Sequence, residues 1–267
     1  MRPSRAFAIT LRHLYLIKGS FSRVLPIFAW VTIDMILWGF ITRYLSSFGG
    51  PGFTIGSALL GAVVCWGFFG RVMHGVSMAF LEDVWSRNFL NIFASPVSIA
   101  EYIAGLALSS IITSCIALIV LLFASSLLFN FSLLHYGLPL ALLLLTLFLF
   151  GIALGIVGSA IVLRFGPPAE WFIWPIPAIL SPFVGVFYPQ SVLPEWMQAV
   201  ARIFPPTYVF EHLRALIAGS PVAPASTLPA LALAAVQLFL AGLLFRHIYA
   251  VAVRSGLIAR YSAESVN

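Results

Sequence analysis

The stretch GLPLALLLLTLFLFGIALGIVGSAIVL, residues 137–163, contains no charged side chain. At about 1.5 Å of rise per residue, a helix of that length covers the roughly 30 Å of hydrocarbon in a bilayer. The rest of the chain has the same character. Its 267 residues are 61% hydrophobic and 8% charged, with a mean hydropathy of +1.06. A soluble domain carries about 25% charged residues, and only lipid can accept so much apolar surface. The composition predicts an all-α membrane protein.

Working outward, five further runs approach the roughly 20 apolar residues that a spanning helix needs. They are Val24–Leu45, Phe53–Ala79, Glu101–Phe129, Trp171–Phe187 and Leu228–Tyr249. The run Trp171–Phe187 is short and holds Pro175, Pro177 and Pro182, which predicts a kinked helix whose freed carbonyls need protein partners. Within 137–163, Gly151, Gly155 and Ser159 repeat every four residues, a small-residue stripe suited to close helix packing. The expected layout is an amphipathic segment over 1–23, six transmembrane helices over 24–250 and a tail over 251–267.

Cations set the orientation. With the N-terminus inside, the cytoplasmic segments hold Arg2, Arg5, Arg12, Lys18, Arg23, Arg71, Arg87, Arg164, Arg246, Arg254 and Arg260, and the outside holds Arg43, Arg202 and Arg214. Positive charge concentrates on the cytoplasmic side of membrane proteins, so both termini are expected there. The net charge of +6 does not indicate nucleic acid, because the arginines are scattered at the ends of apolar runs and form no basic stripe.

The N-terminal stretch FAITLRHLYLIKGSF (residues 7–21) places Phe7, Leu11, Leu14 and Lys18 on one helical face. It reads as a helix lying in the membrane interface, with Arg5, Arg12 and Lys18 reaching toward headgroups. Its cations, from Arg2 to Arg23, interrupt any continuous apolar region, so a cleaved leader is not expected. Between the last two apolar runs, residues 188–220 suggest a non-spanning outer hairpin. One short helix starts at Pro194 and is stopped by Pro205 and Pro206; a second is capped by Thr207 and ends at Gly219.

One segment interrupts the apolar pattern: LEDVWSRNFLNIFASP, residues 81–96. On a single helix over Leu81–Ala94, Trp85, Phe89 and Phe93 form one stripe with Glu82 beside it. Arg87, Asn88 and Asn91 fall elsewhere around the circumference. Aromatic anchors flanked by charges suit a helix that docks in a groove of a soluble protein. The competing interpretation is a linker helix resting on the membrane surface.

The order of these features resembles the permease subunit of type-2 ABC exporters. The residues that carry the resemblance are Glu82 with RNFLNIFASPVSIAEYIAGLAL (87–108), and LPEWMQAVARIFPPTYVFEHLRALIAG (193–219). The first is similar to that family's cytoplasmic coupling helix and the second to its outer re-entrant hairpin. The chain departs from the pattern at Asn88-Phe89, where many members carry Gly-Thr. The resemblance implies that Glu82, Asp83, Trp85, Arg87, Asn88 and Phe89 contact a separate ATPase. It implies two permease copies, as a homodimer, with two ATPase subunits that hold ATP and Mg, and no cofactor in this chain. It also implies a bacterial inner (plasma) membrane location and outward movement of a hydrophobic or amphipathic substrate: a drug, a lipid or a lipid-linked glycan. The residues agree on one point. A phosphate-binding loop needs Gly directly before its Lys, and the single lysine, Lys18, follows Ile17.

Asp34 is the one carboxylate deep in an apolar run, where its charge costs about 2.5–3.5 kcal/mol on insertion scales. It either hydrogen-bonds a neighbouring helix or stands at the dimer seam or pathway wall, paired with Arg71 or His74. Arg71 and His74, one turn apart, read as a snorkelling pair near the cytoplasmic end of their span or as a polar gate. Phe183 and Phe187, with Trp171, Trp174 and Tyr188, anchor the interface or line a path for amphipathic molecules. Cys65 and Cys115 read as small core residues, and the histidines have no metal-ligand spacing. A secondary transporter would be expected to carry inverted repeats and more membrane carboxylates. An intramembrane enzyme would need a nucleophile motif or metal motif that the sequence does not contain.

Overall fold

The structure, a computed structural model, describes residues 2–47, 55–86 and 88–256. Every regular element among them is helical. Four helical stretches are long and apolar enough to cross a membrane: Gly56–Trp85, Ile99–Phe129, Leu134–Phe165 and Pro224–Arg254. The chain is therefore a multi-pass membrane protein.

At the centre, α3 (Ile55–Trp85) packs along α6 (Gly137–Phe165). The stripe anticipated on α6 makes this possible. A Cβ on Gly155 would come within 2.7 Å of the Val76 Cβ and 2.8 Å of the Met73 carbonyl oxygen, so only hydrogen fits there. Ser159 is fully buried on the same stripe and returns its hydroxyl to the Gly155 carbonyl. On one side α6 is covered by α11 (Leu228–Arg254). On the other, α3 is flanked by α2 (Phe21–Ser46) and α5 (Ile99–Phe129). Cys65 is buried in this core, whereas Cys115 is exposed on α5, which corrects its assignment to the core.

The helix over Pro3–Lys18, α1, lies against α5. Its buried residues are Ile9, Thr10 and His13, while Phe7 and Leu11 of the anticipated apolar face remain exposed. The polar-looking side turns inward because Gly105 on α5 lets the backbones touch. Thr10 Oγ1 donates to the Gly105 carbonyl at 3.0 Å.

Two expected boundaries are corrected. The single helix over Leu81–Ala94 is two pieces. The apolar positions Phe80, Leu81 and Val84 stay buried at helical spacing, so α3 continues through Glu82 and Asp83 to Trp85. After a turn, α4 (Phe89–Ala94) begins at Asn88. Ser86 and Asn88 are residues whose side chains compete with the helical backbone. In the hairpin, α9 (Glu195–Ala201) ends before the prolines, and Pro205 and Pro206 form the first turn of α10 (Pro205–Ile217). Their missing N–H groups fall where none is needed. Thr207 does not cap; its hydroxyl donates to the Ala201 carbonyl at 2.7 Å and closes the hairpin.

The proline-rich run is broken as expected, into α7 (Glu170–Ile173) and α8 (Ile176–Leu180). Side chains take up carbonyls downstream. Tyr188 Oη donates to Pro182 at 2.7 Å, and Arg214 Nη1 of α10 donates to Gly185 at 2.8 Å. The hairpin also reaches inward: Phe204 faces Phe150 of α6, and Phe210 meets Trp66 of α3.

Candidate functional site

Two polar regions stand out in this apolar bundle. The first is a charged foot where α1, the end of α3, α4 and the start of α5 meet. Asp83 is 2% exposed. Its Oδ1 accepts from Arg12 Nη2 at 2.5 Å, and its Oδ2 accepts from Arg12 Nη1 at 3.0 Å and from Tyr102 Oη at 2.8 Å. A bidentate guanidinium plus a phenol satisfies a buried carboxylate well. The hydrogen bond to Asp83 holds Arg12 above its ordinary pKa, against the opposing effect of burial.

Glu101 opens α5 in a reciprocal cap: the Ser98 N–H donates to its Oε2 at 2.9 Å, and its own N–H donates to Ser98 Oγ. The Arg2 N–H donates to its Oε1 at 2.6 Å, and Arg5 lies 3.7 Å from Oε2 while also donating to the Pro96 carbonyl. Arg23 of α2 pairs with Glu82. Arg5 and Arg12 therefore face protein acids, not headgroups as expected from the sequence. His13, buried beside this network, has its imidazole pulled down to about 4 by desolvation, partly offset by Asp83.

Of the sequence-selected residues here, Asp83 is sealed inside and Glu82 is occupied by Arg23. Trp85 is 51% exposed at the corner where α3 ends. Asn88 starts α4 and accepts from Asn91 Nδ2 at 3.3 Å. Phe89 belongs to α4 by its backbone, and Arg87 lies outside the described residues. Tyr102 was not singled out in the sequence, where it reads as one aromatic among many.

The second region is the less covered face of α3, where Gly67, Gly70, Arg71 and His74 are partly accessible while their helical neighbours Phe68, Phe69, Val72 and Met73 are buried. At its upper part Asp34, Trp38, Val63, Trp66, Gly67 and Phe187 line a cavity of about 60 Å³, in which Trp38 stacks on Phe187 at 4.7 Å. One turn further along α3 stand Arg71 and His74. The His74 ring packs on Trp174 at 4.8 Å. Its Nε2 and the Arg71 Nε are buried without partners.

The anticipated pairing of Asp34 with Arg71 or His74 is not made: neither lies within ion-pair reach of it. Because α3 runs on to Trp85, Arg71 is about 21 Å from that end, near the middle of the helix and not at its margin. Phe187 lines the cavity, whereas Phe183 packs edge-on against Trp196 of the hairpin.

A helical membrane protein with a charge-locked foot at one end and a partly open polar face within its bundle has the makings of a transport subunit driven from outside the bilayer. The family of the ABC-2 type transporter matches residues 13–218, well over half the chain, so this chain belongs to that family. It is the transmembrane permease part of an ABC transporter, a class that works with an ABC ATPase. No curated relative matches the chain.

Proposed function

We propose that the chain is the permease of an exporter and moves a hydrophobic or amphipathic substrate outward, powered by a separate ATPase. In this account α2 and the broken α7–α8 segment complete six spans. The foot and both termini face the cytoplasm, α1 rests its exposed Phe7 and Leu11 in the inner interface, and the α9–α10 hairpin dips from the outer side. Two copies pair in the plasma membrane with two ATPase subunits, which hold ATP and Mg.

The observation that carries this account is the continuity of α3. One 31-residue helix ends in the exposed Trp85 and, near its middle, lines the open groove with Arg71 and His74. Packed helices move as rigid bodies, so a push at the α3–α4 corner is felt along the groove. Asp83 acts indirectly, by tying α1 to the moving end. Glu82, Trp85, Asn88 and α4 present the contact surface.

The test is Trp85→Ala in the permease reconstituted with its ATPase. Aromatic anchors commonly contribute 2 kcal/mol or more to docking. Substrate-stimulated ATP turnover should fall at least about fivefold with membrane levels of the permease unchanged. Full stimulation in the variant would remove Trp85 from the transmission path.

A further inference from the structure

We propose that Arg71 and His74, on the open face of α3, form a binding site for a phosphate group carried by an amphiphile; in the exporter account above, on which this rests, that makes the cargo a phosphorylated lipid-like molecule.

Arg71 lies near the middle of a long apolar helix, yet no described carboxylate reaches it within ion-pair distance and its Nε is buried without a partner. A guanidinium cannot escape its charge by losing a proton. In a membrane segment such a group faces a partner or a water-filled path, and marks one. The nearby acids do not pair with it: Glu170 accepts from Trp174 Nε1 at 3.3 Å, and Asp34, itself exposed, borders the aromatic cavity one turn away. Space is present as well, since a Cβ on Gly70 would meet nothing within 4 Å.

The second nitrogen narrows the anion. His74 Nε2 is buried without a partner, and it is an acceptor or a donor according to the tautomer of the neutral ring and a donor in the charged one. A phosphate monoester suits both states, because it and an imidazole each exchange a proton near neutral pH. A carboxylate or a sulfate at that pH offers no proton to Nε2. Arg71 supplies the planar donor fork that phosphate oxygens favour, and Trp174 closes the far side of the imidazole.

The test uses the purified full chain in uncharged maltoside micelles, without ATP or ATPase, so its outcome is independent of whether the chain transports. The probes are 12-bromododecyl phosphate and 12-bromododecanol, compared at equal micellar mole fraction. Bromine quenches nearby indoles, and the Trp174 signal is the difference between the parent chain and Trp174→Phe. The expected result is saturable quenching, with the phosphate half-saturating at a concentration at least about tenfold lower than the alcohol, the size of one charge-assisted contact. Arg71→Gln should abolish that preference and Arg71→Lys should keep part of it. Competition on the parent chain needs no variant. Displacement by inorganic phosphate assigns the site to soluble phosphate compounds, and resistance to it assigns a lipid-anchored phosphate. Equal quenching by the two probes would overturn the proposal. So would phosphate binding that appears only in Asp34→Asn, which would give Arg71 to the carboxylate of a second copy.

Discussion

The charged foot and the open face of α3 contain the same chemical groups in opposite condition. In the foot, Asp83 is held by Arg12 and Tyr102, Glu101 by Arg2, Arg5 and Ser98, and Glu82 by Arg23. On the groove side, Arg71 and Asp34 make no ion pair among the described residues, and His74 has a buried nitrogen without a partner. Paired charges fix one arrangement of helices, whereas an unpaired charge in an apolar setting is a cost that a ligand can relieve. In the proposed function, the first region transmits force and the second meets cargo.

Removing a partner should therefore have opposite signs in the two regions, and the largest effect belongs to the foot. Asp83→Ala leaves the Arg12 guanidinium and the buried Tyr102 hydroxyl without their acceptor. Losing half of a buried pair costs about 3–5 kcal/mol, toward the lower end here because Arg12 is partly accessible. Thermal unfolding should shift down, and protease should release α1. An unchanged midpoint would mean the lock contributes nothing.

His13 gives the next effect. Its folded pKa is depressed to about 4, so the stabilising contribution is complete above about 6.5 and is lost as pH falls toward 4. The loss across that window is at most about 3 kcal/mol, visible as a fall in unfolding temperature that His13→Gln should flatten. Persistence of the same slope in that variant would trace it to other groups.

In the groove the sign reverses. Arg71→Leu removes an unpaired charge from an apolar helix and should raise stability by about 2 kcal/mol, on the scale of insertion costs. A variant that unfolds more easily would show that Arg71 has a structural partner after all. Smallest of all, Glu82→Gln breaks a partly exposed pair with Arg23 and should change stability by less than about 1 kcal/mol.

How legible this was from the residues alone follows from the range of the forces involved. The charge-free run at 137–163, the small-residue stripe on it and the break at Pro175 are local properties, and each appears where the sequence puts it, whereas Pro177 is accommodated in the first turn of α8. The Ser98–Glu101 cap is also local but is missed when the run is started at Glu101 on hydropathy, whereas α5 starts at Ile99. Arg12 and Asp83 are 71 positions apart, and nothing in either neighbourhood says that one answers the other. For that reason Asp83 reads as a surface contact and Arg12 as a headgroup ligand, when they are partners. The opposite face of α1, which docks on α5, is not foreseen in the sequence for a similar reason, since the small size of Gly105 on another helix decides it. Asp34 and Arg71 fail to pair although both lie in apolar runs, because helix rotation places Asp34 against Trp38 and Phe187.

The central claim is that work enters this permease at the α3–α4 corner. The direct measurement places a photo-crosslinking amino acid at Trp85, in membranes containing the permease and its ATPase, with and without ATP. The account predicts a covalent adduct with the ATPase whose yield changes on ATP binding, and none from the same group placed at Trp196 in the hairpin. Adducts to lipid alone from position 85, or equal yields from both ends, would contradict it.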